Sequence, residues 1–246
     1  MLKLIRGEMY RLLHKRSMYI YFGALVVGYF LLAYIRSGGF NEESIIKDAF
    51  NFFNFLPALA GGFLFSAIYT DDLGSRNLIT LVGYGIAKTK IVIVKLIVTT
   101  LFGAAVFGLS PLVLYCVHAA LGWAATANTM AMVYAVSLKY LLMTLAFAAL
   151  SGIVVYGLQR TTFAMVSYIL LAFNVVSGLI TVLVSNMLGD VATVVLNRLV
   201  SGITDRILAG IMIGSSLIGP VIEYIIYVAI AATLSVLAFR KKEMEF

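Results

Sequence analysis

Residues able to do chemistry are few in this chain, and their spacing defeats most reactions. Histidine occurs twice, at His14 and His118. A His-x-x-x-His or His-Glu-x-x-His metal site needs two imidazoles one helical turn apart, and none can be built from this pair. Cys116 stands alone, which excludes an intrachain disulfide and any multi-cysteine metal site. Glu42-Glu43-Ser44-Ile45-Ile46 lacks the arginine of a Glu-Glu-x-x-Arg intramembrane protease. A serine–histidine dyad would have to use His118, and lone membrane histidines usually satisfy local hydrogen bonds. Gly83-Tyr84-Gly85-Ile86-Ala87-Lys88 is glycine-rich but fits neither the Gly-x-x-x-x-Gly-Lys-Ser/Thr nor the Gly-x-Gly-x-x-Gly spacing. The chain is therefore predicted to hold no catalytic residue, no metal and no nucleotide of its own.

The elements that carry these residues are set by composition. Of the 246 residues, 62% are hydrophobic and only 12% charged, and the mean hydropathy is +1.03. Soluble domains run at roughly 45–50% apolar and about 25% charged, so this chain could not cover its surface in water. Residues 17–35, 49–70, 96–138, 140–159 and 161–189 contain no Asp, Glu, Lys or Arg, and 217–239 is interrupted only by Glu223. His118, Gly122, Trp123, Thr126, Asn128 and Thr129 divide the longest run. A membrane helix needs about 20 apolar residues. The expected fold is an all-α polytopic membrane protein forming a single domain. Its six spans fall at about 17–35, 50–69, 94–117, 133–156, 162–185 and 218–239.

Basic residues orient it. Thirteen of the 18 Lys and Arg fall on one side: Lys3, Arg6, Arg11, Lys15, Arg16, Arg76, Lys88, Lys90, Lys95, Arg160, Arg240, Lys241 and Lys242. The other side holds Arg36, Lys47, Lys139, Arg198 and Arg206. The positive-inside rule makes both termini cytoplasmic. The same rule accounts for the basic balance without nucleic acid. The first span is too long for a signal-peptide core, and Ile35-Arg36-Ser37-Gly38 has no small-x-small cleavage pattern, so it is expected to remain as an anchor.

Two flanking segments have helical character. In residues 1–16, Leu2, Ile5, Met9, Leu12 and Leu13 share one face, with Arg6 and the other cations largely elsewhere. This pattern predicts an interfacial helix beside anionic lipid headgroups. In 186–216, Val191, Val194, Val195, Leu199 and Ile203 predict short helices in the outer interface, and Pro220 suits the first turn of the last span. The span centres carry no ionisable group of the kind a proton- or sodium-driven transporter places there. Glu223 is read as an interfacial carboxylate, and Lys139 as snorkelling outward.

The loop at 70–93 is the most distinctive stretch. Leu78, Leu81, Val82 and Ile86 can form one apolar face of a short helix, rimmed by Arg76, Lys88 and Lys90. Such a helix suits the groove of a soluble partner. From Asp71 to Lys95 the chain resembles the membrane subunits of type-2 ABC exporters. In that family an acidic residue ends span two, a short helix leads to Gly-(Ile/Val/Pro)-Ser-Arg-x-x-Ile, and a lysine opens span three. Here Asp72, Gly85, Ile86, Thr89, Lys90, Ile91 and Lys95 fall in register, while Ala87 and Lys88 replace the family's serine and arginine.

The resemblance implies a bacterial plasma-membrane permease working with a cytosolic ATPase dimer that binds ATP and Mg. It also implies a second permease copy or a paralogue, with membrane lipids around them. The cargo would be an amphipathic compound, such as an antimicrobial or other peptide or a drug-like molecule. Spans two and five would face the path, with Asn51, Asn54 and Tyr69 on the former and Tyr168, Asn174 and Ser177 on the latter. Asp72 and Lys95 would anchor the two ends of the ATPase-coupling loop. The alternative is a non-transporting membrane module that docks or senses a soluble partner.

Overall fold

In a computed structural model the chain is described at residues 1–35, 42–75, 77–120, 122, 125–188 and 192–241. Arg36, Arg76, Trp123, Val191 and Lys242 lie outside the described residues. All regular structure among the described residues is helical. The elements are α1 (Leu2–Leu13), α2 (Arg16–Ile35), α3 (Glu42–Phe53), α4 (Gly62–Phe65), α5 (Asp71–Gly74), α6 (Asn77–Gly83) and α7 (Lys88–Ala120). They continue with α8 (Ala127–Leu158), α9 (Thr161–Ala172), α10 (Val175–Leu188), α11 (Ala192–Leu196), α12 (Val200–Ile213) and α13 (Ile218–Lys241).

Among the described residues, four stretches are long and apolar enough to cross a membrane: Ile45–Leu73, α7, α8 and α13. A fifth is the pair α9 and α10 if taken as one broken span. The chain is thus a multi-pass membrane protein. Its centre is α8, which packs against α3, α7, α9, α12 and α13. The hydroxyl of Thr126 caps its start by accepting from the Thr129 N–H at 3.3 Å. Gln159 closes it in the left-handed region at φ 53.

The first expected span appears only as a shorter apolar helix over Arg16–Leu31, and two others differ in shape. The stretch 162–185 is broken: α9 ends at Phe173-Asn174, and α10 leaves at 58°. Asn174 takes φ 56, a conformation that asparagine tolerates and that ends helices. The Ser177 hydroxyl donates to the Asn174 carbonyl at 3.0 Å, fastening the corner. Such a break is invisible to a hydropathy window, because both arms are apolar.

The second span is irregular as well. Two π turns, Pro57–Gly61 and Ser66–Thr70, flank α4. Each widens the helix and turns the residues beyond it. Gly61 permits a close approach here, since a Cβ would overlap the Tyr168 hydroxyl and stand 2.7 Å from the Thr144 methyl. The Tyr168 hydroxyl donates to the Pro57 carbonyl at 2.8 Å, which pins α9 to the first π turn.

The segment after α10 folds into α11 and α12. Val200, Ile203, Ile207 and Leu208 of α12 are buried against α8 and α13.

Candidate functional site

The charged residues nearest the membrane gather at the basic end. On α1, Glu8 falls between Ile5 and Leu12 on the face turned to the bundle; Leu12 is fully buried, and Ile5 and Met9 pack against the core. Leu2 and Leu13 remain exposed, and so does Arg6. The apolar stripe of α1 therefore meets protein along much of its length, where the amphipathic pattern alone predicted a helix resting on headgroups. The π turn Ser66–Thr70 delivers Asp72, and Lys95 lies two turns inside α7.

These residues close a network of two carboxylates and two cations. Arg11 donates to Asp72, and to Glu8 at 2.8 Å. Lys95 Nζ lies 2.8 Å from Glu8 Oε1 and forms a second ion pair with Asp72. The side chains of Asp72 and Lys95 are only 1% and 2% exposed. Asn77 Nδ2 donates to Asp72 at 3.3 Å, and Lys15 pairs with Asp71 at the margin. Burial of a lone charge costs several kcal/mol after relaxation, so such groups persist only when paired and hydrogen-bonded. Here the charges balance, and the network fastens α1, the end of the second span and the start of α7 together.

The short helix α6 hangs from this block by Asn77. Its end is a Schellman cap: Ile86 N–H donates to Leu81 O at 3.2 Å and Gly85 N–H to Val82 O at 2.9 Å. Gly85 occupies the left-handed position at φ 76 that favours glycine, and Ile86 and Leu81 supply the apolar contact of the motif. The Gly-Ile dipeptide thus turns the chain from α6 into α7. The loop's apolar face points inward: Leu78 is 5% exposed, and Leu81, Val82 and Ile86 are half-buried against the core. This narrows the expected face: Leu78 is sealed, while Leu81, Val82 and Ile86 keep part of their surface accessible. The helix is short enough to satisfy its stripe on its own bundle, and Tyr84, 81% exposed, is what projects.

The start of α7 is tied to the end of α13. Lys88 Nζ donates to the Phe239 carbonyl at 2.9 Å and stands 5.2 Å from the Phe239 ring centroid. Arg240 donates to Thr89 Oγ1 at 3.1 Å. A cation at a helix C-terminus satisfies a terminal carbonyl and meets the negative end of the macrodipole. Lys90 is exposed. From Phe239 an aromatic column runs inward through Tyr156 at 4.8 Å, Tyr69 at 6.4 Å, Phe65 at 4.9 Å and Tyr168 at 4.6 Å between ring centroids.

The residues expected along a substrate path do not converge within one chain. Tyr69, carried by the second π turn, and Tyr168, in the regular helix α9, are both buried in that column. Asn51 and Asn54 are exposed on the side of the second span. Asn174 and Ser177 border a cavity of about 110 Å³, closed by residues including Phe147, Ser201 and Tyr227. A wider groove of about 890 Å³ at the basic end is lined by Arg11, Thr70, Asp71, Ser75, Asn77, Thr80 and Thr161.

At the opposite end Glu223 pairs with Arg198 and Arg206, and Lys139 with Asp205 at 2.6 Å. The Lys139 ammonium, expected to snorkel outward, is held by Asp205 of α12. Among the described residues no group of three His, Cys, Asp or Glu side chains stands ready to hold a metal ion.

Sequence reasoning missed Glu8. Its signal was a single acid inside the apolar stripe of a basic helix, with Ile5 and Leu12 on the same face. Tyr84 was also passed over, because its neighbours drew attention as a glycine loop.

Fold and site together define an all-helical multi-pass membrane protein whose buried charges join segments. Comparison with protein-family models, curated proteins and solved structures finds no match.

Proposed function

We propose that the chain is the permease subunit of an ATP-driven exporter, with both termini cytoplasmic and six spans. The spans are α2, the irregular second span, α7, α8, the bent pair α9–α10 and α13. A cytosolic ATPase dimer docks at the basic end, and a second permease copy or a paralogue completes the path for an amphipathic cargo such as a peptide. The observation that carries this reading is the buried Glu8–Arg11–Asp72–Lys95 network. It makes α1, the loop and two spans one stiff body, which is what a lever moved by a separate engine requires.

To swing a 1:99 equilibrium to 99:1, nucleotide must favour one state by about 5.5 kcal/mol. A loose loop would dissipate that difference in its own rearrangement. A clipped one passes it to the spans. Asn51 and Asn54, polar and exposed on the second span, are then covered by the second copy.

The test is purification in lipid with the soluble proteins of the source cell, followed by ATP hydrolysis assays with candidate amphipathic peptides. A bound protein carrying a Walker A motif, stimulated by cargo and uncoupled by Asp72→Asn with Lys95→Gln, is expected. Folded chain that retains no ATPase defeats the proposal.

A further inference from the structure

We propose that the polar groove at the basic end holds the headgroup of an amine-bearing, zwitterionic phospholipid of the inner leaflet. Such a site is independent of the permease reading.

The ends of α7, α8 and α13 mark the inner surface of the apolar layer. From Lys139, held at the opposite end by Asp205, the chain runs twenty residues along α8 to Gln159. At 1.5 Å per residue this is about 30 Å, the depth of a bilayer's apolar core. The next residue, Arg160, is exposed. The apolar run of α13 ends at Phe239, whose carbonyl accepts from Lys88 at the start of α7. Lys95 lies seven residues further along α7. Its network with Glu8, Arg11 and Asp72 therefore sits about 10 Å below that surface. Leu234 and Leu237 of α13 are exposed over the same depth, as side chains facing lipid are.

The groove opens at this level. It measures about 890 Å³, within the range of ligand sites, and every described residue lining it is polar in a chain that is 62% hydrophobic. It reaches from Thr161, beside Arg160, to Thr70 and Asp71, beside the network. Arg11 and Asp71 are only half-buried there. Part-exposed ions below the surface of the apolar layer are costly, so polar atoms have to fill the space.

Chemistry selects the headgroup. Arg11 spends guanidinium hydrogens on Asp72, Glu8 and the Ala67 carbonyl, and Asp71 spends one oxygen on Lys15; each keeps further capacity. A phosphate meets the guanidinium, and an ammonium meets the Asp71 carboxylate, with the hydroxyls of Ser75, Thr80 and Thr161 around them. Quaternary ammonium groups are recognised by aromatic cages, and no aromatic ring is among the described residues of the lining. A primary ammonium, which donates hydrogen bonds, is the better fit. A headgroup carrying phosphate alone would leave Asp71 facing like charge. For the acyl chains, Phe163, Val166 and Leu170 give α9 an exposed apolar face that starts two residues beyond Thr161.

The experiment places the full chain in nanodiscs of equimolar phosphatidylethanolamine, phosphatidylcholine and phosphatidylglycerol. Lipids that stay bound on release are read by native mass spectrometry. Asp71→Asn and Thr161→Phe are compared with the native chain after thermal unfolding has shown them folded. Phosphoethanolamine is added as the soluble source of the same chemistry. Retention of phosphatidylethanolamine about tenfold over the other two lipids is expected. Asp71→Asn should turn the preference toward phosphatidylglycerol, and Thr161→Phe, which fills the groove, should lower retention of phosphatidylethanolamine to that of phosphatidylcholine. Thr161 is exposed and carries no charge, so its variant keeps the test in force if Asp71→Asn fails to fold.

Equal retention of the three lipids, or a preference untouched by the folded variants, overturns the proposal and leaves water in the groove. Displacement of the lipid by phosphoethanolamine at the lipid's own concentration overturns it in favour of a soluble ligand.

Discussion

The two ends of the molecule use the same chemistry, carboxylates paired with arginine and lysine, in opposite surroundings. At the basic end Asp72 and Lys95 are almost sealed from solvent. At the other end each pair keeps one well-exposed member, Arg198 at 63% and Asp205 at 57%, against Glu223 at 26% and Lys139 at 13%. Exposed pairs are worth about 0–1 kcal/mol, whereas removing one member of a buried pair costs about 3–5 kcal/mol. The basic end is therefore a joint that must stay whole, and the opposite end a clasp that opens readily.

The largest expected effect breaks the joint. Asp72→Asn leaves Arg11 and Lys95 facing a neutral amide, and should destabilise the chain by about 3–5 kcal/mol, read as a lowered melting temperature in detergent. Should this variant melt with the native chain, the contrast between the ends disappears.

Stiffness is also expected to extend into the membrane. Gly61→Ala drives a methyl group into the Tyr168 hydroxyl, and overpacking of this kind costs about 1–3 kcal/mol. An unchanged melting curve would mean that α9 slides freely on the first π turn. At the loop's tip, Gly85→Ala keeps open space around the new methyl but forces a left-handed alanine, at about 1–2 kcal/mol. Amide exchange in α6 should rise with it; a silent substitution would show that the cap does not hold the turn.

The smallest effect belongs to the clasp. Arg198→Gln removes the 63%-exposed member while Glu223 keeps Arg206, and should change stability by at most about 1 kcal/mol and lose even that in high salt. A salt-insensitive loss as large as that of Asp72→Asn would make the two ends alike.

Much of this contrast was legible in advance. Asp72 and Lys95 were marked by the exporter resemblance as the two ends of the loop, and 186–216 showed short helical periods. Glu8 did not stand out as a partner, since its significance depends on two segments distant in sequence. The burial of Leu78 was likewise unreadable, because an amphipathic stripe specifies a face and not what covers it. Asn174 resembled a polar lining residue, although its corner with Ser177 is what bends the span.

The sequence alone determined that this chain lives in a membrane as a set of apolar helices. The reason is local: each charge-free run carries its own desolvation energy, whatever it later touches. Only the tertiary structure decided which charges meet, which face of α6 is hidden, and that Tyr84 is left outside. Those outcomes depend on pairings between separate segments, and a buried ion is tolerable only once all of its partners have arrived.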